Sequence, residues 1–92
     1  MAKLKAGDVI AISCEVAPGQ SSNEKLVSFE SMDGQITGFV PLQELKQKSP
    51  NDWVIRATVL KLKKDAIEVR VYGSFFNTNG LADIKPEMAL AA

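Results

Sequence analysis

Gly34-Gln35-Ile36-Thr37-Gly38-Phe39-Val40-Pro41-Leu42-Gln43-Glu44-Leu45 is the stretch that decides the fold. A turn, a short apolar strand and a helical start follow one another with no spare residues. Asp33-Gly34 at its head is a strong hairpin signal, because glycine accepts the positive φ that such turns require. Pro41 ends the strand Ile36–Val40. A proline at the first helical position loses no hydrogen bond, since that N–H has no partner within a helix. Leu42 to Lys48 therefore reads as a short helical segment carrying Leu42 and Leu45 inward.

Outward from this stretch lie four more strands. Upstream, Lys25–Ser31 pairs through the Met32–Gln35 turn, and the polar loop Pro18–Asn23 separates it from a first strand over Asp8–Val16. There Ile10, Ile12, Cys14 and Val16 alternate with Val9, Ala11, Ser13 and Glu15, the period of two that a strand with one apolar face shows. Downstream, Ser49-Pro50-Asn51-Asp52 breaks the helical segment. Trp53–Leu62 and Ala66–Tyr72 then form a hairpin around Lys63-Lys64-Asp65. Ile55, Ala57 and Val59 share one parity, but Leu60 and Leu62 take the other. A β-bulge or bend near Val59-Leu60 reconciles the two sets. The expected core is Ile10, Ile12, Val16, Ile36, Val40, Leu45, Ile55, Val59, Ile67, Val69 and Val71.

Beyond Gly73 the pattern weakens. Ser74-Phe75-Phe76 adds at most a short strand, Asn77–Gly80 is a turn, and Leu81–Ala92 reads as a loosely packed or partner-bound tail. The division is a barrel domain over residues 1–73 and a C-terminal extension over 74–92.

Composition sets the remaining bounds. The 92 residues suffice for one domain with its own core, and 46 % apolar with 24 % charged residues is ordinary globular composition. Eleven basic residues balance eleven acidic ones. Phosphate contacts dominate nucleic-acid affinity, so this neutrality argues against a strongly electrostatic binder, although a neutral total is compatible with a basic face. A single cysteine, Cys14, makes no internal disulfide and fits a reducing, cytoplasmic setting. No apolar run approaches the length of a membrane span, and Met1–Lys5 lacks the apolar run of a signal peptide. The chain has no histidine. That removes the commonest general base and metal ligand, and every imidazole-dependent triad. The acidic residues are scattered, with no calcium-loop spacing. No catalytic residue, metal or cofactor is expected, and the reading is of a non-enzymatic binding module.

Three strands, a short helical connection and two more strands give the order of an OB-type barrel, an all-β, five-stranded fold. An SH3-like barrel has the same strand count, with its helical turn between the last two strands. Gly38-Phe39-Val40-Pro41-Leu42-Gln43-Glu44-Leu45 resembles the Gly-Leu-Val-His-x-Ser-Glu-Leu run of the "S-one" RNA-binding domain, a family named from a protein of the small ribosomal subunit. Lys5-Ala6-Gly7-Asp8-Val9 resembles its Val-Gly-Asp-x-Val opening, and Val54–Val71 its closing hairpin. The resemblance extends over Lys5–Tyr72 and implies an OB fold that stacks bases on aromatic residues of the second and third strands. Phe29 falls on one such position. The other two depart from the family's pattern, with Leu26 for a phenylalanine and Pro41 for a histidine, and the linker before the fourth strand is shortened to Lys46–Asp52.

Two sets of candidate residues follow. Phe29 and Phe39, on adjacent strands, are candidates to stack bases of single-stranded RNA or DNA, or else are core aromatics. Arg56, Lys61, Lys63, Lys64 and Arg70 form the one basic cluster, placed to hold phosphates or to discourage edge pairing at a solvated hairpin. The alternative to nucleic acid is a protein partner or self-association through Trp53, Phe75 and Phe76, with no membrane contact.

Overall fold

The hairpin expected over Met32–Gln35 forms, with Met32 and Asp33 as its two turn residues and Gly34 opening the next strand. In the computed structural model, which describes residues 3–76 and 78–92, Gly34 has φ +120° and pairs with Ser31. The Ser31 hydroxyl ties the turn: it donates to Gly34 O at 2.7 Å and accepts from Asp33 N at 3.2 Å. Met1 and Ala2, at the start of the expected barrel domain, and Asn77, the first residue of the expected Asn77–Gly80 turn, lie outside the described residues.

The chain is all-β. Among the described residues nine strands appear rather than five: β1 (Val9–Pro18), β2 (Glu24–Ser31), β3 (Gly34–Pro41), β4 (Leu45–Ser49), β5 (Asp52–Leu62), β6 (Ile67–Val71), β7 (Ser74–Phe75), β8 (Leu81–Ile84) and β9 (Ala89–Ala91). They form one antiparallel sheet, in the order β7-β3-β2-β1-β5-β6-β8, that curls into a half-barrel. β1 switches partners along its length, pairing with β9 over Ile10–Ile12 and with β2 over Glu15–Pro18 on the same edge. β5 does likewise, taking β4 beside its first half and β6 beside its second. The fork between β4 and β6 opens at Arg56.

The bulge expected near Val59-Leu60 is present. Val59 pairs with Val69 and Lys61 with Glu68, which leaves Leu60 as the extra residue. The insertion returns Lys61 to the outward face and bends the strand.

The core contains Ile10, Ile12, Ile36, Val40, Ile55, Val59, Ile67, Val69 and Val71, as their alternation predicts, whereas Val16 and Leu45 are only partly buried against it. Cys14, Val27, Phe29, Ala57, Ala82 and Ile84 complete it. Removing each Val or Ile side chain from water contributes roughly 1.5–3 kcal/mol.

Two expectations are corrected. Only Leu42–Glu44 is helical, as a single 3₁₀ turn; Leu45–Ser49 is extended as β4, and Leu42 is exposed. The extended backbone gives the first half of β5 a hydrogen-bonded neighbour and turns Lys46 outward while Leu45 reaches the core. The tail is also integral to the fold. β8 pairs with β6 and buries Ala82 and Ile84, the latter completely, and β9 pairs with β1. A second 3₁₀ turn, Pro86–Met88, stands between these last two strands.

Candidate functional site

β-Strand parity separates the two outward faces of the curled sheet. On the β4-β5-β1-β9 side the cross-strand rows are Lys46, Val54 and Ser13, then Arg56, Ala11 and Leu90, then Arg70, Thr58 and Val9. Ala11 and Val54 take outward parity yet are each only 4 % exposed. They floor a groove of about 410 Å³ walled by Lys46, Lys48, Arg56, Gln43, Glu44 and the C-terminal Ala91 and Ala92. That volume lies within the range of about 300–1,000 Å³ typical of ligand sites.

Lys46, Lys48 and Arg56 are exposed, and the two ion pairs found among the described residues belong to Lys63 instead. Three cationic side chains therefore face the groove against one acidic side chain, Glu44. Arg70 extends the basic stripe by one row. Tyr72, the residue after β6, continues the outward parity of Glu68 and Arg70 and is 52 % exposed.

The expected basic cluster is thus divided. Arg56 and Arg70 lie on the groove side, in adjacent rows. Lys61 and Lys63 stand at the far end of β5, where acidic groups surround them: Lys61 pairs with Glu68, and Lys63 Nζ contacts both Asp83 carboxylate oxygens at 3.1 Å and Glu68 Oε1 at 3.7 Å. The hydrogen bond to Asp83 holds the Lys63 pKa above its ordinary value. Lys64 is exposed in the adjoining turn.

The aromatic candidates divide as well. Phe29 is 3 % exposed and meets Phe75 edge-to-face at 6.3 Å, so its ring is part of the core and presents no surface to a base. Phe39 is half-buried on the outward face of β3, where it meets Phe76 at 5.7 Å. Trp53 and Phe75 are partly buried against the core, which leaves Phe76 as the exposed member of that trio. Lys46, Lys48 and Tyr72 were missed as site residues. The Lys-x-Lys spacing of 46 and 48 signals a shared face only once the segment is read as a strand.

Cys14 is buried beside Trp53, and burial, with the Asp52 charge adding to it, pushes its thiol pKa up from 9.0 to about 11. It is thereby kept as an unreactive thiol at neutral pH. Among the described residues no His, Cys, Asp and Glu side chains converge as a metal site, and no helix is long and apolar enough to cross a membrane. No protein-family model matches the chain, and neither a curated protein nor a solved structure does.

Proposed function

We propose that this chain is a non-enzymatic, OB-type module that binds single-stranded nucleic acid, RNA in the first instance, in the groove across β4, β5 and β1. The observation that carries the reading is the convergence of Lys46, Lys48 and Arg56 on one concave, apolar-floored surface without ion-pair partners among the described residues. Free cations gain phosphate contacts by releasing counterions, and a groove tracks a flexible backbone. Tyr72 supplies an exposed ring beside the stripe for stacking a base.

The OB assignment is supported by strand order. β5-β1-β2-β3 is a Greek key, with the fourth strand returning beside the first, and the OB barrel is a partly open Greek-key barrel. The position of the helical turn does not separate it from an SH3-like barrel, because one turn precedes β4 and another precedes β9. An OB barrel ordinarily uses the face of its second and third strands. Here that face carries Phe39 but no outward basic residue, since Lys25 shares the inward parity of Val27 and Phe29. The site is therefore assigned to the opposite side.

The test is fluorescence anisotropy with a labelled mixed-sequence single-stranded RNA over a salt series. Three neutralised phosphates give a log–log salt slope of about −2. Combined Lys46→Glu, Lys48→Glu and Arg56→Glu substitution is expected to weaken binding at least tenfold and flatten that slope. A variant that binds as tightly as the parent removes the reading.

A further inference from the structure

Phe76 is 66 % exposed, the most exposed large apolar side chain among the described residues. It is nonetheless fixed in place. Its N–H donates to Thr37 O at 2.9 Å, and its ring packs edge-to-face on Phe39, 5.7 Å between centroids at 77°. On the same outward face, register sets Glu15, Ser28 and Thr37 in one row and Ala17, Leu26 and Phe39 in the next. Glu30 follows two residues along β2. The surface from the aromatic pair to Glu15 crosses three strand spacings, roughly 14 Å. The Ser28 and Thr37 hydroxyls bond each other at 3.1 Å, so the centre of the face has its polar groups partnered. Every charged residue with outward parity on β2, β3 and the second half of β1 is acidic: Glu15, Glu24 and Glu30.

We infer that this face docks a cationic, partly apolar peptide segment of a protein partner. Charge complementarity names the occupant. The π faces of Phe39 and Phe76 attract a guanidinium or ammonium group, and the carboxylates across the sheet hold further cations. Leu26 and Ala17 between them accept an aliphatic side chain. Phosphate is repelled by the same carboxylates, so this face is not a second nucleic-acid surface. A two-fold contact with another copy sets one surface whose charged residues are all acidic against the same surface, with no cation to pair them, which disfavours it. The neutral composition of the chain then reflects two segregated regions of the outward surface, a basic groove over β4, β5 and the first half of β1 and an acidic aromatic surface over β2, β3 and the second half of β1. The inference does not rest on nucleic-acid binding.

The experiment titrates the full chain with a blocked hexapeptide of alternating arginine and leucine, read by amide chemical shifts. A matching peptide with aspartate in place of arginine serves as control. Shifts are expected at Thr37, Phe39 and Phe76 with the arginine peptide alone. Phe76→Ala, at an exposed site, and the double reversal Glu15→Lys with Glu30→Lys should each weaken binding by about tenfold or more. Oligonucleotide affinity should not fall in either variant, which separates this outcome from that of the groove. Shifts confined to Asp33 and Asp83, equal binding by the double reversal, or no binding at millimolar peptide each overturn the inference. So does a concentration-dependent dimer in sedimentation that Phe76→Ala abolishes, since the face is then a contact between copies.

Discussion

Gly38 and Phe75 pair across β3 and β7 so closely that a Cβ on Gly38 stands 2.5 Å from Phe75 Cα and 2.4 Å from Ser74 O. Both obstructions are backbone, which cannot swing aside as a side chain does. The near contact is what lets β7 close over the edge of β3, set the Phe75 ring against Phe29, and place Phe76 beside Phe39.

Gly38→Ala is therefore expected to separate β7 from β3 and to destabilise the protein by about 1–3 kcal/mol, the usual cost of overpacking. Urea unfolding measures it. Gly34→Ala is the comparison, because nothing lies within 4 Å of its Cβ and its cost comes from φ +120° alone. Loss at Gly38 should come with a changed Phe76 environment, and loss at Gly34 should not. A fully stable Gly38→Ala protein contradicts the close crossing.

Ile84 tests whether the C-terminal residues belong to the core. It is fully buried on β8, opposite Ile67. Ile84→Ala is expected to cost about 2–5 kcal/mol, the range for a core isoleucine truncated to alanine. Leu81→Ala, at an exposed position of the same strand, should cost far less. Equal thermal midpoints for the two variants would mean that β8 is only laid against the surface.

These residues also mark what the sequence made legible. The parity change at Leu60 announces the bulge, because a flat strand has no way to bury both apolar sets. Asp33-Gly34 announces its turn for a similarly local reason. Gly38 gives no such sign: its need for a missing side chain comes from a strand more than thirty residues away. Ala82 and Ile84 alternate correctly, but four residues after a turn are too few to distinguish a strand from a tail. Lys46 and Lys48 were hidden by a helical reading of Leu42–Lys48, which Pro41 favours locally and the open edge of β5 overrides. Arg56 was legible as a cation but not as a groove residue, since Ala11 and Val54 become a floor only through pairing.

Cys14 makes stability depend on pH in the alkaline range. Its folded pKa, raised by burial and by the Asp52 charge, is about 11 against an ordinary 9.0. Below pH 9 both states keep the proton and the thiol contributes fully. Between 9 and 11 the unfolded chain loses the proton first, so stability falls as pH rises. Cys14→Ala should be less stable than the parent at neutral pH, and the gap should narrow from pH 9 upward in denaturant titrations. A gap that stays constant to pH 11 means that the thiol ionises equally in both states. Alkylation by iodoacetamide at pH 8 should be slow in the folded protein and rapid in denaturant.

Lys63 separates a structural cation from a binding one. Its ammonium is held by Asp83 and Glu68, and it ties the β5–β6 turn to β8. Lys63→Met and Asp83→Asn should each lower the thermal midpoint slightly, and the double variant should lose less than the sum. The coupling should fade with added salt, because the pair is exposed to solvent. In RNA titrations Lys63→Met should leave affinity and salt slope near those of the parent, while Lys46→Met reduces the slope by about 0.7, one phosphate contact on a single strand. The contrast comes from the partners each ammonium already has: Lys63 must give up two carboxylates to meet a phosphate, and Lys46 gives up only water. If both substitutions lower the slope equally, the phosphate path runs beyond the groove to the turn at Lys63-Lys64, and Arg70, midway between them, becomes the next residue to replace.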